Sequence, residues 1–283
     1  LVSATTLFIV IASVWGMSKL ETNQSILEDL PDKDRVKQDL YFFEKNYGGV
    51  RPLEISVKVT GVGKSIWDIE IVKQLEKVEG FISKTYSPGF LLSPASLVKS
   101  VNQAYDDKYI IPLDTSDFNR DVKLLRKNRN SKQLKALVTP DGTRGRYSAK
   151  MRDAGSRELE KYNAALFDFI QGNTDTTALK FTITGTANLI DVNNKNVITN
   201  TLQGLLTGVG ILALLTLVLH RSVKMMVVFL IPNLVPLVIM AGLMGIFGLE
   251  LKSSTAIFFS IAFGIATDDT IHFISRFRLE LKQ

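Results

Sequence analysis

The sequence predicts an α+β membrane protein in which transmembrane α-helices flank a polar α+β domain, and two observations carry that prediction. Residues 1–16 and 201–274 are strongly apolar, whereas most Lys, Arg, Asp and Glu lie between them. The polar middle mixes period-two alternation with helical spacing. Averaged over the chain, 46% hydrophobic and 22% charged residues would suit a soluble protein. An apolar run of about 18 or more residues, however, is the length that crosses a hydrocarbon core.

Residues 1–17 are expected to form the first membrane helix. A signal peptide there would need a basic leader and a small-residue cleavage site, and neither is visible. The chain opens on Leu1 rather than Met and closes soon after an apolar helix, so both ends are expected to be cut from a longer chain. Residues 18–195 then form the polar domain. Alternation at 53–59 predicts a strand, and helical spacing at 66–78 predicts a helix capped by Gly80. A strand is expected at 81–86 and helices at 94–105 and 115–128. Residues 133–139 and 144–151 flank Pro140-Asp141-Gly142 as a hairpin. A helix at 156–170 and a strand at 179–184 complete the domain. That order suggests a ferredoxin-like, split βαβ type.

From Asn188 the chain turns helical, and residues 196–283 hold three expected spans at about 201–219, 225–249 and 255–274. The link His220-Arg221-Ser222-Val223-Lys224 is basic, as is the tail with Arg276, Arg278 and Lys282. The positive-inside rule puts both in the cytoplasm. Alternating spans then place the large domain outside the cell membrane, in the periplasm of a Gram-negative cell.

Composition excludes several functions. The net charge of +6 raises nucleic acid as a partner, and basic residues do cluster at Arg126-Lys127-Asn128-Arg129, Lys132 and Lys135. No finger spacing, recognition helix or aromatic series accompanies them, so they read as a solvated helix face. The chain has no Cys, and its two His residues, His220 and His272, both belong to the spanning region. No thiolate or His-based metal site and no nucleophile–His–acid set can be assembled outside the membrane. Gly61-Val62-Gly63-Lys64-Ser65 resembles the end of a phosphate loop, but that pattern needs Gly where Lys58 stands.

The strongest chemical signal is Gly264-Ile265-Ala266-Thr267-Asp268-Asp269-Thr270-Ile271-His272-Phe273. A carboxylate inside a hydrocarbon-length helix costs about 2.5–3.5 kcal/mol on the insertion scale, and such groups are functional by default. Two side by side resist carrying charge together, through desolvation and mutual repulsion. A carboxyl group in that situation can load and release a proton. His272 follows Asp268 by four residues and Asp269 by three, so all three can share one face, and such groups persist only where they meet a protein interior or water. Ser260, Gly264 and Asp268 extend the stripe at four-residue steps, and small residues there let a neighbouring helix come close.

In the preceding span, Pro232 and Pro236 each remove a backbone donor, and Asn233 offers a hydrogen bond to another helix. They read either as a hinge beside the carboxylates or as ordinary membrane-helix prolines. Gly204 and Gly208, and Gly242, Gly245 and Gly248, read as packing residues.

The runs Ile231-Pro232-Asn233-Leu234-Val235-Pro236 and Phe259 to Phe273, with Gly264, Asp268 and Asp269 in a GxxxDD pattern, resemble the resistance–nodulation–division superfamily. Within it the likeness is to MMPL-type exporters, related to Patched, Dispatched and sterol-sensing proteins, and it extends over nearly the whole chain. The resemblance implies one incomplete repeat with an extracytoplasmic porter domain. It also implies a proton or cation relay at Asp268 and Asp269, while His272, by its spacing, reads either as a further relay member or as a plain interfacial histidine. The implied activity is not enzymatic: it is export of hydrophobic or amphiphilic, lipid-like compounds across the bilayer, without cofactor, driven by an ion gradient. A second repeat of the same protein is the implied partner, with room for a homo-oligomer. A sterol- or lipid-sensing module and a protein-translocation accessory are the alternatives within the superfamily.

Overall fold

The computed structural model describes residues 2–22, 31–61 and 63–280. In chain order the elements are α1 (Val2–Met17), α2 (Arg35–Tyr47), β1 (Arg51–Val59), α3 (Ile69–Tyr86), β2 (Phe90–Leu92), α4 (Pro94–Asp106) and α5 (Thr115–Lys127). Then follow α6 (Lys132–Lys135), β3 (Arg144–Met151), α7 (Ser156–Asn173), β4 (Leu179–Thr184), α8 (Gly185–His220), α9 (Val223–Ile246) and α10 (Ser253–Glu280). They form two compact units, one within residues 1–24 and 191–283, the other within 25–190.

The polar unit is built on a four-stranded antiparallel sheet in the order β2-β3-β1-β4. Because β1 and β2 both run antiparallel to β3, they are parallel to each other, with α3 crossing between them. The alternation in β1 puts Leu53, Ile55, Val57 and Val59 into the core and leaves Glu54, Ser56 and Lys58 on the wetter face. Tyr147, Ala149 and Met151 of β3 join them, under the buried stripes of α3 and α7. The fully buried Tyr147 hydroxyl donates to the Leu75 carbonyl of α3 at 2.8 Å, and Phe81 stacks on Phe169 between the two helices. Each buried aliphatic side chain contributes roughly 1.5–3 kcal/mol.

Helix α4 is tied to α3 by a buried pair: Lys99 Nζ lies 2.6 Å from Glu79 Oε1, and the Ser93 hydroxyl donates to the same carboxylate. Burial opposes the Lys99 charge, but the hydrogen bond and charge of Glu79, with that of Glu76, outweigh it and raise its pKa.

Several expectations are corrected here. Helix α3 starts at Ile69, after Asp68, and runs through Gly80 to Tyr86, so residues 81–86 are helix and not strand. A mid-helix Gly costs only about 1 kcal/mol, and the burial of Ile82 and Tyr86 exceeds it. The edge strand is instead Phe90–Leu92. The turn at Pro140-Asp141-Gly142 is present, with Gly142 at φ +69° and the Thr139 N–H donating to the Arg144 carbonyl. Its first arm begins within the short helix α6, and only the Val138–Gly145 bridge continues the ladder. The upper part of that edge of β3 is already taken by β2. Helix α2 was not anticipated. Its signals are local: the Asp34 carboxylate caps Val36 N–H at 2.8 Å, and Gly48 ends it at φ +74°. Of the phosphate-loop look-alike, Val62 lies outside the described residues, and Gly63, Lys64 and Ser65 form a loop that precedes α3.

In the apolar unit, α8, α9 and α10 are each long and apolar enough to cross a membrane. At 16 residues α1 is shorter than that length, and the Leu1 of the expected span, like Lys282 of the basic tail, lies outside the described residues. Helix α8 begins at Gly185, earlier than expected, and α9 ends at Ile246 rather than near 249. Gly248 at φ +67° lets the Leu249 N–H return to the Met244 carbonyl, which closes α9. Ile198 and Leu205 of α8 pack with Leu237 and Ala241 of α9 and Ala256 and Phe259 of α10.

Helices α1 and α9 meet backbone to backbone. A Cβ placed on Gly242 would stand 2.3 Å from Ser13 Cα, and one on Gly245 would stand 1.9 Å from the Gly16 carbonyl oxygen. Gly204 has open space around it. Gly242→Ala or Gly245→Ala should therefore lower the stability of the detergent-solubilised protein by about 1–3 kcal/mol, as overpacking does. Gly204→Ala should be neutral or slightly stabilising. A thermal-shift comparison of the three variants checks this, and equal melting temperatures would refute the close approach.

Candidate functional site

The candidate site is built on α10. One side of this helix packs: Ala256, Phe259, Thr270 and Ile274 are buried, and Phe263 is half-buried with its ring against Gly208 of α8. These positions follow one another at steps of three, four and seven residues, the stripe of a helix packed on one face. At 3.6 residues per turn, Asp268, Asp269 and His272 lie roughly 115–175° around the helix from that stripe.

The structure agrees with this counting. The Asp268 and His272 side chains are 72% and 80% exposed, and His272 Nε2 stands 3.4 Å from Asp268 Oδ1. Asp269 is exposed too. The expectation of one shared polar face therefore holds for Asp268 and His272, with Asp269 beside them. Among the described helices this face is left open. The inward positions are held by Thr267 and Thr270, whose small side chains fit the packed side. Gly264 lies on the open side, with nothing within 4 Å of a Cβ placed there. One turn beyond His272, Arg276 pairs at 3.9 Å with Glu280 and leaves the carboxylates alone.

Pro232 and Pro236 lie inside α9, both exposed. Asn233 between them is completely buried, on the stripe of Phe229, Leu237 and Ala241. Its Nδ2 donates to the Phe229 carbonyl of its own helix at 2.5 Å rather than to another helix. Its Oδ1 is buried without a partner among the described residues, as is Thr267 Oγ1. Asn233 stands thirteen residues before the end of α9, and Thr267 fourteen after the start of α10. In two antiparallel neighbours joined by a short turn, that puts them at about the same depth. Thr267 was not singled out in the sequence. Its only signal there is its place beside Asp268. Among the described residues no cluster of His, Asp and Glu could hold a metal ion.

Three helices long and apolar enough to cross a membrane, one of them carrying Asp268, Asp269 and His272 within its length, mark a membrane protein. The model of the MMPL family matches residues 72–283, about three quarters of the chain, and the chain belongs to that family. Membership places it among the transporters of the resistance–nodulation–division superfamily. The match begins within α3, so α1, α2 and β1 lie outside it, and the likeness is shorter than the sequence suggested. No curated protein matches the chain.

An unpartnered buried amide oxygen costs about 1–3 kcal/mol. If Asn233 Oδ1 has no partner in the whole protein, Asn233→Leu should keep stability within about 1 kcal/mol of the parent. A larger loss on thermal unfolding in detergent would show that the amide oxygen is bonded across helices.

Proposed function

We propose that the protein is a proton-driven exporter of hydrophobic or amphiphilic compounds, in which Asp268 and Asp269 take up and release the coupling protons. The observation that carries this reading is the Asp268–His272 pair on an open face of a hydrocarbon-length helix, in a chain of a transporter family. Charged groups facing lipid are costly, and those that persist line an interior or an ion path. The open face is completed by a second helical repeat of the same protein, whose helices come close along Ser260, Gly264 and Asp268. His272 tunes or relays protons at Asp268. Pro232 and Pro236 supply the give that alternating access needs. No metal, cofactor or enzymatic step takes part, because the ion gradient supplies the energy.

The α+β unit acts as an extracytoplasmic porter domain of ferredoxin-like type. The sheet order β2-β3-β1-β4 with α3 and α7 as crossovers supports that assignment. The basic residues at both cytoplasmic ends, Arg221 and Lys224 after α8 and Arg276 late in α10, support the orientation.

In the full-length protein reconstituted in vesicles, Asp268→Asn and Asp269→Asn should each abolish export driven by a proton gradient while insertion and melting temperature stay near the parent. Undiminished transport by both variants would end this reading. Because these 283 residues contain no Cys, orientation can be tested separately. On whole cells, a membrane-impermeant maleimide should label Lys84→Cys and spare Lys224→Cys, and the reverse pattern would overturn the orientation.

A further inference from the structure

The charge of the chain is not spread evenly. Between Asp121 and Asp141 stand Lys123, Arg126, Lys127, Arg129, Lys132 and Lys135 with no acidic residue, and these six equal the whole net charge of +6. Elsewhere in the polar unit acids and cations are nearly equal in number. Arg120, one turn before Lys123, is held by Asp106, Asp117 and Asp121. Lys123 and Arg126 have no such partner among the described residues.

Lys123 and Arg126 also border a groove between the start of α3 and α5. Its floor is apolar, formed by Trp67, Phe118 and Val122, all nearly buried, and by half-buried Ile69. The one acid in the wall, Asp68, has its carboxylate engaged by the Ser65 N–H at 2.8 Å. The spacing of α5 produces this arrangement. Phe118, Val122 and Leu125 bury one side of the helix, and Lys123 and Arg126 fall on its flank, over the groove.

We infer that this groove is a binding site for an anionic amphiphile, with the apolar part on Trp67, Ile69, Phe118 and Val122 and the acidic group on Lys123 and Arg126. Free cations beside an apolar floor match a ligand with both characters. A polyanion would instead want cations along an open surface and aromatic faces for stacking. The inference deepens the exporter reading and rests on it for the site's role, since it narrows the cargo to amphiphiles with an acidic head. The site itself is testable without any gradient.

The test uses the full-length protein in phosphatidylcholine nanodiscs, with empty nanodiscs as baseline. Dodecyl phosphate, dodecylphosphocholine and inorganic phosphate serve as probes below micellar concentration. Dodecyl phosphate should bind about tenfold or more tightly than either of the others, as paired charge-assisted contacts and an apolar tail together allow. Lys123→Gln with Arg126→Gln should erase that preference, whereas Lys132→Gln with Lys135→Gln should keep it. Both pairs are exposed, so neither is expected to disturb folding. Equal binding of the two dodecyl probes would overturn the site, as would equal loss in both variant pairs, which would mean a diffuse field. Inorganic phosphate bound as tightly as dodecyl phosphate would mean an anion site only, and would equally overturn it. If Asp268→Asn and Asp269→Asn leave export intact, the coupling reading fails and this binding result still stands.

Discussion

A hydrocarbon interior does not solvate charge, and α10 carries two carboxyl groups within a length apolar enough to cross one. Helix α10 meets that constraint by sorting its residues around its axis. Ala256, Phe259, Thr270 and Ile274 take the side packed in the apolar unit, and Asp268, Asp269 and His272 take the other. The packed side would lose its close fit if the carboxylates turned into it, because their partners are Leu237, Ala241 and the other apolar side chains of α8 and α9. The same sorting leaves Ser260 and Gly264 on the outer side, which gives the acid-bearing face a shallow profile.

Much of this was legible in the sequence because it depends on spacing. The spans, the placement of His272 one turn after Asp268, and the alternation of β1 are all periodic patterns. Two failures share a different cause. Gly80 reads as a stop, yet the apolar series through Val78, Ile82 and Tyr86 carries α3 past it. Residues 133–139 look extended, but their β-partner edge is shared with β2, and the segment coils into α6 before a single bridge. In each case the deciding partner is remote in sequence.

The polar unit treats its charges in two ways. Where ions are buried they are paired, as Lys99 is with Glu79 and Arg51 with Asp153. Breaking a buried pair on one side costs far more than losing a surface contact. From Lys123 to Lys135 the cations are exposed, with no ion-pair partner among the described residues. A surplus of one sign confined to one short stretch attracts anions from a distance, with a reach of about 8–10 Å at ordinary salt.

The two prolines of α9 stand four residues apart, so the hydrogen bonds they omit fall on one side of the helix. A rod weakened along one side bends in a preferred plane. From Pro232 to Ile246 the arm is about 20 Å long, so ten degrees of flexure carries its far end by about 3.5 Å. That end bears Gly242 and Gly245, pressed backbone to backbone against Ser13 and Gly16. With no side chain on Gly242 or Gly245 to yield, such a flexure would bear directly on the backbone of α1.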